Sequence, residues 1–250
     1  MRLIIDFGNT LCKVAFYEND EELNLRSFSN INLEMLQTHI NKYINLQPVP
    51  GKITHCIVSS VINYPAEIKA YLQTTYQFIE LSPNTPLPIS IKYETPNTLG
   101  NDRIAAVVGG KSLFPDQDLL IVDAGTCITF DFLNKNGDYL GGAITPGIKL
   151  RFKSLNNYTD KLPLIMHFGK DVKLIGSSTE SSIKSGVING VKAEVNGIIE
   201  NYREEYPEIK IIFTGGDINY FDTTPKNNIF AVANLVLKGL NTILNYNAED

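Results

Sequence analysis

Apolar runs broken by short glycine-bearing turns set the rhythm of this chain. Leu3-Ile4-Ile5 reads as a buried strand, Asp6-Phe7-Gly8-Asn9-Thr10 as a tight turn, and Leu11 to Tyr17 as a returning strand with alternating polarity. From Asn32 the period changes: Leu33, Leu36, Ile40 and Tyr43 recur at helical spacing, and Ile53 to Val61 then reads as another buried strand. Between Leu81 and Gly100, Pro83, Pro86, Pro88 and Pro96 interrupt any periodicity and predict a long irregular connection. A helix is expected over Arg103 to Leu113.

After Pro115 the opening pattern returns. Leu119 to Val122 reads as a buried strand, Asp123-Ala124-Gly125-Thr126 as a turn, Cys127 to Phe132 as an alternating strand, and Tyr139 to Ile144 as a third. Strand, Asp-x-Gly turn with a threonine and returning strand therefore occur twice, which reads as an internal duplication into halves 1–114 and 115–250 of an α/β fold. The second half continues with a long helix through Ile183, Val187, Val191, Val195, Ile198 and Tyr202. A strand at Ile209 to Phe213, the turn Thr214-Gly215-Gly216-Asp217 and a helix from Phe230 to about Leu244 follow.

Composition narrows the chemistry. The 250 residues are 43% hydrophobic and 20% charged, enough for a sizeable core. With 22 Lys+Arg against 27 Asp+Glu, the net charge of -5 gives no basic field for nucleic acid or an anionic membrane, so small-molecule chemistry is expected. Cys12, Cys56 and Cys127 lie apart in apolar segments, which speaks against a disulfide framework or a cysteine metal cluster and for reduced thiols in a cytoplasmic setting. The N-terminal apolar run ends at Asp6, too soon for a signal-peptide core, so the mature chain is expected to start at Met1; no run approaches the roughly 20 residues of a membrane span.

The turns carry the candidate chemistry. Gly8 lets backbone N–H groups approach a ligand, Asn9 and Thr10 add donors, and Lys13 puts a cation nearby, a combination suited to phosphate; a plain hairpin turn uses the same residues. Asp123 ends an apolar strand where open α/β sheets place ligands, and its charge there calls for a cation. Gly215-Gly216 after a strand allows flat approach of a base or ribose. Asp102-Arg103 at a helix start fits a first-turn acid, and equally a proton acceptor beside a guanidinium that forks onto a carboxylate or phosphate. Asp6-Phe7-Gly8 lacks the other protein-kinase motifs. Gly110-Lys111-Ser112 would need a glycine at Ala105 to form a phosphate loop and reads as a helix C-terminus. His39, His55 and His167 show no metal-ligand spacing.

In order along the chain, Asp6-Phe7-Gly8-Asn9-Thr10 with Lys13, Gly100-Asn101-Asp102-Arg103, Asp123-Ala124-Gly125-Thr126, Gly141 to Gly147, Thr179 ahead of Ile183 and Gly186, and Thr214-Gly215-Gly216-Asp217 resemble the type III pantothenate kinases. These are members of the acetate and sugar kinase/Hsp70/actin superfamily. The resemblance implies a duplicated ribonuclease-H-like, actin-like ATPase fold with two mixed-sheet halves and an ATP cleft between them. It implies ATP-dependent phosphorylation of pantothenate, towards coenzyme A. By the same resemblance, Asp6, Phe7, Gly8, Asn9, Thr10, Leu11, Cys12 and Lys13 surround the ATP phosphates with Thr126, while Gly215 and Gly216 sit near the adenosine. Asp102 is the general base; Tyr93, Gly100, Asn101, Arg103 and Thr179 contact pantothenate. Asp123 holds a monovalent cation, K⁺ or NH₄⁺, beside the Mg²⁺ of ATP. A homodimer completes the pocket across subunits. Cys127, where alanine is more usual, and the short connecting segments depart from the pattern. A kinase of another small hydroxy or carboxylate substrate and a non-catalytic ATP-binding regulator of the same fold are the alternative readings.

Overall fold

The computed structural model describes residues 1–46, 52–224 and 228–248. They form two compact units: Met1–Pro115 with Gly137–Tyr139 and Asn234–Asp250, and Asp116–Asn136 with Leu140–Ala233.

The first unit runs β1 (Arg2–Phe7), β2 (Cys12–Glu18), β3 (Glu21–Phe28), α1 (Leu33–Asn45), β4 (His55–Ser60), α2 (Ala66–Thr75) and β5 (Gln77–Glu80). Its sheet order is β3-β2-β1-β4-β5; β2 is antiparallel to β1 and β3, while β1, β4 and β5 run parallel. Leu3, Ile5 and Phe7 of β1 join Val14 and Phe16 of β2 and Val58 of β4 in one core with α1 and α2. Strand alternation therefore turns Ile4, Asp6, Lys13, Ile57 and Ser59 to the opposite face. A short β6 (Ser90–Ile91) pairs with Asp138 and Tyr139, and α3 (Asn101–Leu113) follows.

The second unit repeats the plan with β7 (Leu119–Ala124), β8 (Cys127–Leu133), β9 (Asp138–Pro146), α4 (Ile148–Asn157), α5 (Thr179–Glu205), β10 (Lys210–Thr214) and β11 (Ile229–Ala231). In this six-stranded sheet the run β9-β8-β7-β10-β11 follows the order of the first sheet, with β6 added beyond β9; β8 is antiparallel and β10 parallel to β7. The ribonuclease-H-like arrangement is thus present twice. On α5, Ile183, Val187, Val191, Val195 and Ile199 are buried in this unit's own core, so the helix's apolar stripe is occupied within the unit.

The compact units cut across the contiguous halves 1–114 and 115–250, because α6 (Leu235–Asn247) packs on α3, β1 and β4 of the first unit. Gly109 and Gly239 make that packing close: a Cβ on either would strike backbone oxygen of the facing helix. The helix expected from Phe230 begins only at Leu235. Ile229 to Ala231 pair with β10 instead, and Asn234 at φ 54° marks the break.

Candidate functional site

Register places Asp6 directly between Lys13 on β2 and Ser59 on β4. Asp6 is buried, 9% exposed, and among the described residues its Oδ1 meets no hydrogen-bond partner. Burial, then the nearby Asp102 carboxylate, push the Asp6 pKa up to about 6; Ser59 and Lys13 oppose the rise without cancelling it. An acid so placed is prepared to meet a cation.

Beyond β1 the chain turns through Gly8, whose N–H donates to Leu11 O at 3.1 Å, while Phe7 O accepts from Val61 N–H at 3.1 Å. Asn9, Thr10 and Leu11 are exposed. Phe7 stacks on Tyr64 at 4.4 Å. The Tyr64 hydroxyl donates to Glu80 Oε1 at 2.7 Å, so the base of the turn is held rigidly. Cys12 is buried, and burial followed by the charge of Asp6 pushes its thiol up to about 12, which removes it as a nucleophile.

At the start of α3, Gly100 is the N-cap and leaves room that a Cβ would deny: it would lie 2.5 Å from Asp102 Oδ1. That oxygen accepts from Arg103 N–H at 2.9 Å. Asn101 Nδ2 donates to Leu81 O at 3.0 Å and reaches Ser60 O at 3.5 Å, tying the helix start to the end of β4, next to Ser59. The Arg103 guanidinium is buried and lies 5.9 Å over the Tyr93 ring. Tyr93, Gly100, Asn101, Asp102 and Arg103 are therefore gathered in the first unit, with the charge of Asp102 felt at Asp6. Lys111 is accounted for elsewhere: its ammonium donates to Pro88 O at 2.7 Å and fastens the proline-rich connection.

In the second unit, Asp123 lies in register between Thr129 on β8 and Thr214 on β10. Its turn is braced from two sides. Gly147 N–H donates to Thr126 O at 3.1 Å, and Asp217 N–H donates to Ala124 O at 2.9 Å. Gly215 takes φ 97°, and a Cβ there would collide with Ala124 O and Asp123 Oδ1, so only glycine fits. Gly216, Thr126 and Cys127 are exposed, as is Thr179, the first residue of α5 behind a Ser178–Ser181 capping box. Burial raises the Asp217 carboxyl pKa, with Lys149 opposing. Among the described residues, no group of three or more His, Cys, Asp or Glu is placed to hold a metal ion, and no helix is long and apolar enough to cross a membrane.

Sequence reasoning passed over Ser59, Arg151 and Glu194, and named Asp217 only as the end of the Thr214 turn, with no role of its own. Ser59 sits inside an apolar strand with no turn to flag it. Its one signal is the two-residue alternation that puts it on the face of Asp6.

Two sheets of one strand order, each with an acid near the end of its first strand and a glycine turn beyond, define the duplicated ribonuclease-H-like class of folds. Solved structures share this fold. A Campylobacter jejuni protein of the Baf family superposes with TM-score 0.58 at 24% identity over 98% of both chains. The activator of 2-hydroxyisocaproyl-CoA dehydratase from Clostridium difficile superposes with TM-score 0.50 at 14% identity over 98% of this chain and 93% of that one. Within the class, the model of the type III pantothenate kinase family matches residues 2–201. The type III pantothenate kinase of Phocaeicola vulgatus is 44% identical over 248 residues, 99% of each chain, and that of Christiangramia forsetii 42% identical over 247 residues, again 99% of each. The chain belongs to the type III pantothenate kinase family.

Proposed function

We propose that this kinase phosphorylates the primary hydroxyl of pantothenate at the expense of ATP, in coenzyme A biosynthesis, with Asp102 as the proton acceptor. The carrying observation is the placement of Asp102, first-turn acid of α3, whose helix start Asn101 ties to Leu81 O and Ser60 O at the end of β4, one residue beyond the Ser59 that flanks the buried Asp6; the Asp102 charge is felt there and raises the Asp6 pKa. One acid is thereby set to meet a metal and the other stands half-exposed near it. In this reading Asp102 accepts the proton as the hydroxyl attacks. Arg103 and Tyr93 with Gly100 and Asn101 line the pantothenate pocket, to which Thr179 adds a hydroxyl.

The turn from Phe7 to Leu11, with Lys13, binds ATP phosphates, and Thr126 contributes from the second turn; Gly215 and Gly216 sit near adenosine. Asp6 fits the Mg²⁺ carried by ATP, because a buried carboxylate oxygen without a partner is a hard donor awaiting a hard cation. When bound, Mg²⁺ neutralises charge on the phosphate oxygens. Asp123, flanked in register by two threonines, offers the all-oxygen surroundings suited to K⁺ or NH₄⁺. Leu140, Ile144, Met166, Leu174 and Ile175 stay exposed on the single chain, which supports a homodimer whose partner completes the pocket. A cytoplasmic setting accords with the buried, unpaired Cys12 and Cys56.

Phosphoryl transfer needs chiefly alignment and charge neutralisation, and a positioned proton acceptor adds about 10²–10⁴-fold. Asp102→Asn is therefore expected to keep ATP affinity while kcat falls at least about 100-fold. A coupled ADP-release assay with pantothenate and other small hydroxy acids measures this. Near-normal turnover would remove the base assignment, and equal turnover of unrelated acceptors would remove the substrate assignment.

A further inference from the structure

The second turn rests on the Thr145-Pro146-Gly147 corner, the end of the Gly141 to Gly147 motif. Gly147, at the start of α4, presses its backbone against Gly125 and Thr126: its N–H donates to Thr126 O, and a Cβ on it would collide with the carbonyl oxygens of both residues. There is no slack between the two segments, so Thr126 sits where the Thr145-Pro146-Gly147 corner puts it. One side chain holds that corner. Arg151 Nε donates to Pro146 O at 2.7 Å, and Arg151 Nη2 donates to Thr145 Oγ1 at 2.9 Å and to Glu194 Oε1 of α5 at 2.8 Å. Three acceptors from the end of β9 and from α5 thus converge on a single planar fork, a task that a lysine's point charge cannot reproduce.

We propose that Arg151, oriented by Glu194, is a positioning residue for ATP: it fixes the corner that sets the Thr126 hydroxyl against the phosphates. The proposal rests on the reading of Thr126 as an ATP contact. Arg151 is apart from the apolar core of its unit, which α4 joins through Ile148 and Phe152. The Arg151–Glu194 pair is also partly exposed, its side chains 21% and 32% accessible. Arg151 adds no apolar side chain to that core, so the main consequence of removing it falls on the corner and on Thr126.

The test is steady-state kinetics of the enzyme with Arg151→Ala, Arg151→Lys, Thr126→Ala and the double variant, beside Arg203→Ala, which removes an arginine of like exposure from the i,i+3 pair with Glu200 on α5. Arg151→Ala is expected to raise KM for ATP on the order of tenfold, the size usual for residues that support a ligand from behind. KM for pantothenate stays as in the parent, the melting midpoint falls by no more than it does in Arg203→Ala, Arg151→Lys restores part of the loss, and Arg203→Ala leaves KM for ATP unchanged. On the Thr126→Ala background the Arg151 effect disappears, because both act through one contact. An unchanged KM for ATP in Arg151→Ala, beside a raised one in Thr126→Ala, overturns the proposal alone. So does an undiminished Arg151 effect on the Thr126→Ala background, or a joint rise of both KM values with a lowered melting midpoint. An unchanged KM for ATP in Thr126→Ala overturns the nucleotide reading of the turn, and the proposal with it.

Discussion

Asp6 and Asp123 occupy the same place in two sheets of the same strand order, and their neighbours differ. Asp6 is flanked in register by Lys13 and Ser59, Asp123 by Thr129 and Thr214. Asp6 is buried, and the turn after it is open; Asp123 is half-buried, and its turn is clamped between Gly147 on one side and Gly215 with Asp217 on the other. Duplication has preserved the backbone frame and divided the work. In the first copy the residues manage charge, with an ammonium and two carboxylates in reach of one another. In the second they manage shape, by backbone contacts that only glycine permits.

The largest effect should come from removing the charge of the first copy. Asp6→Asn is expected to lower kcat/KM about 10³-fold, as for other losses of a group that meets transition-state charge; activity within tenfold of the parent would show that the two acids are interchangeable. The same variant should be more stable without ligand. Because the folded pKa of Asp6, about 6, lies above the ordinary 3.8, the native state holds the extra proton between those values. Stability from this group is complete below pH 3.8 and is lost as pH rises through about 6. At pH 7 to 8 the charged carboxyl costs about 3 kcal/mol, which Asp6→Asn should largely recover, with no gain below about pH 4. Urea unfolding of both proteins across this range gives the answer, and a gain that grows towards acid would reverse the sign of the account.

Next in size are exchanges between the copies. Lys13→Thr gives Asp6 the kind of neighbour that Asp123 has, and should raise KM for ATP about tenfold while moving the Asp6 titration further up. An unmoved titration would separate Lys13 from the acid. Asp123→Asn should cost about tenfold in kcat and abolish the response to added K⁺; a retained response would place the cation elsewhere. Gly215→Ala is read on the scaffold: the melting midpoint should fall by more than the strain at φ 97° alone would cost, because the added Cβ would also collide with Ala124 O and Asp123 Oδ1. An unchanged midpoint would mean that the second turn has slack after all.

The features legible in the sequence are those with local causes. The paired strand–turn–strand units, α1, α3 and α5 show in period and in glycine placement, and Asp6, Asp102 and Asp123 show because each sits where an element begins or ends. β3 escaped notice because Glu21 to Phe28 is exposed at nearly every position, so its pairing with β2 leaves no alternation to read. α2 and α4 each bury only two side chains, Ile68 with Leu72 and Ile148 with Phe152, too few to mark a period. The return of α6 to the first unit depends on Gly109 and Gly239 meeting across space, and the grip of Arg151 likewise joins the end of the Gly141 to Gly147 motif to Glu194, a residue in no motif. Ser59 required knowledge of register before its place beside Asp6 was visible.

If the acid at the start of α3 receives the proton of the alcohol being phosphorylated, a crystal structure of the enzyme with pantothenate and a non-hydrolysable ATP analogue will show it. The acceptor hydroxyl is expected within about 3.2 Å of an Asp102 carboxylate oxygen, or joined to it by one water. A hydroxyl beyond that reach in the closed complex would contradict it.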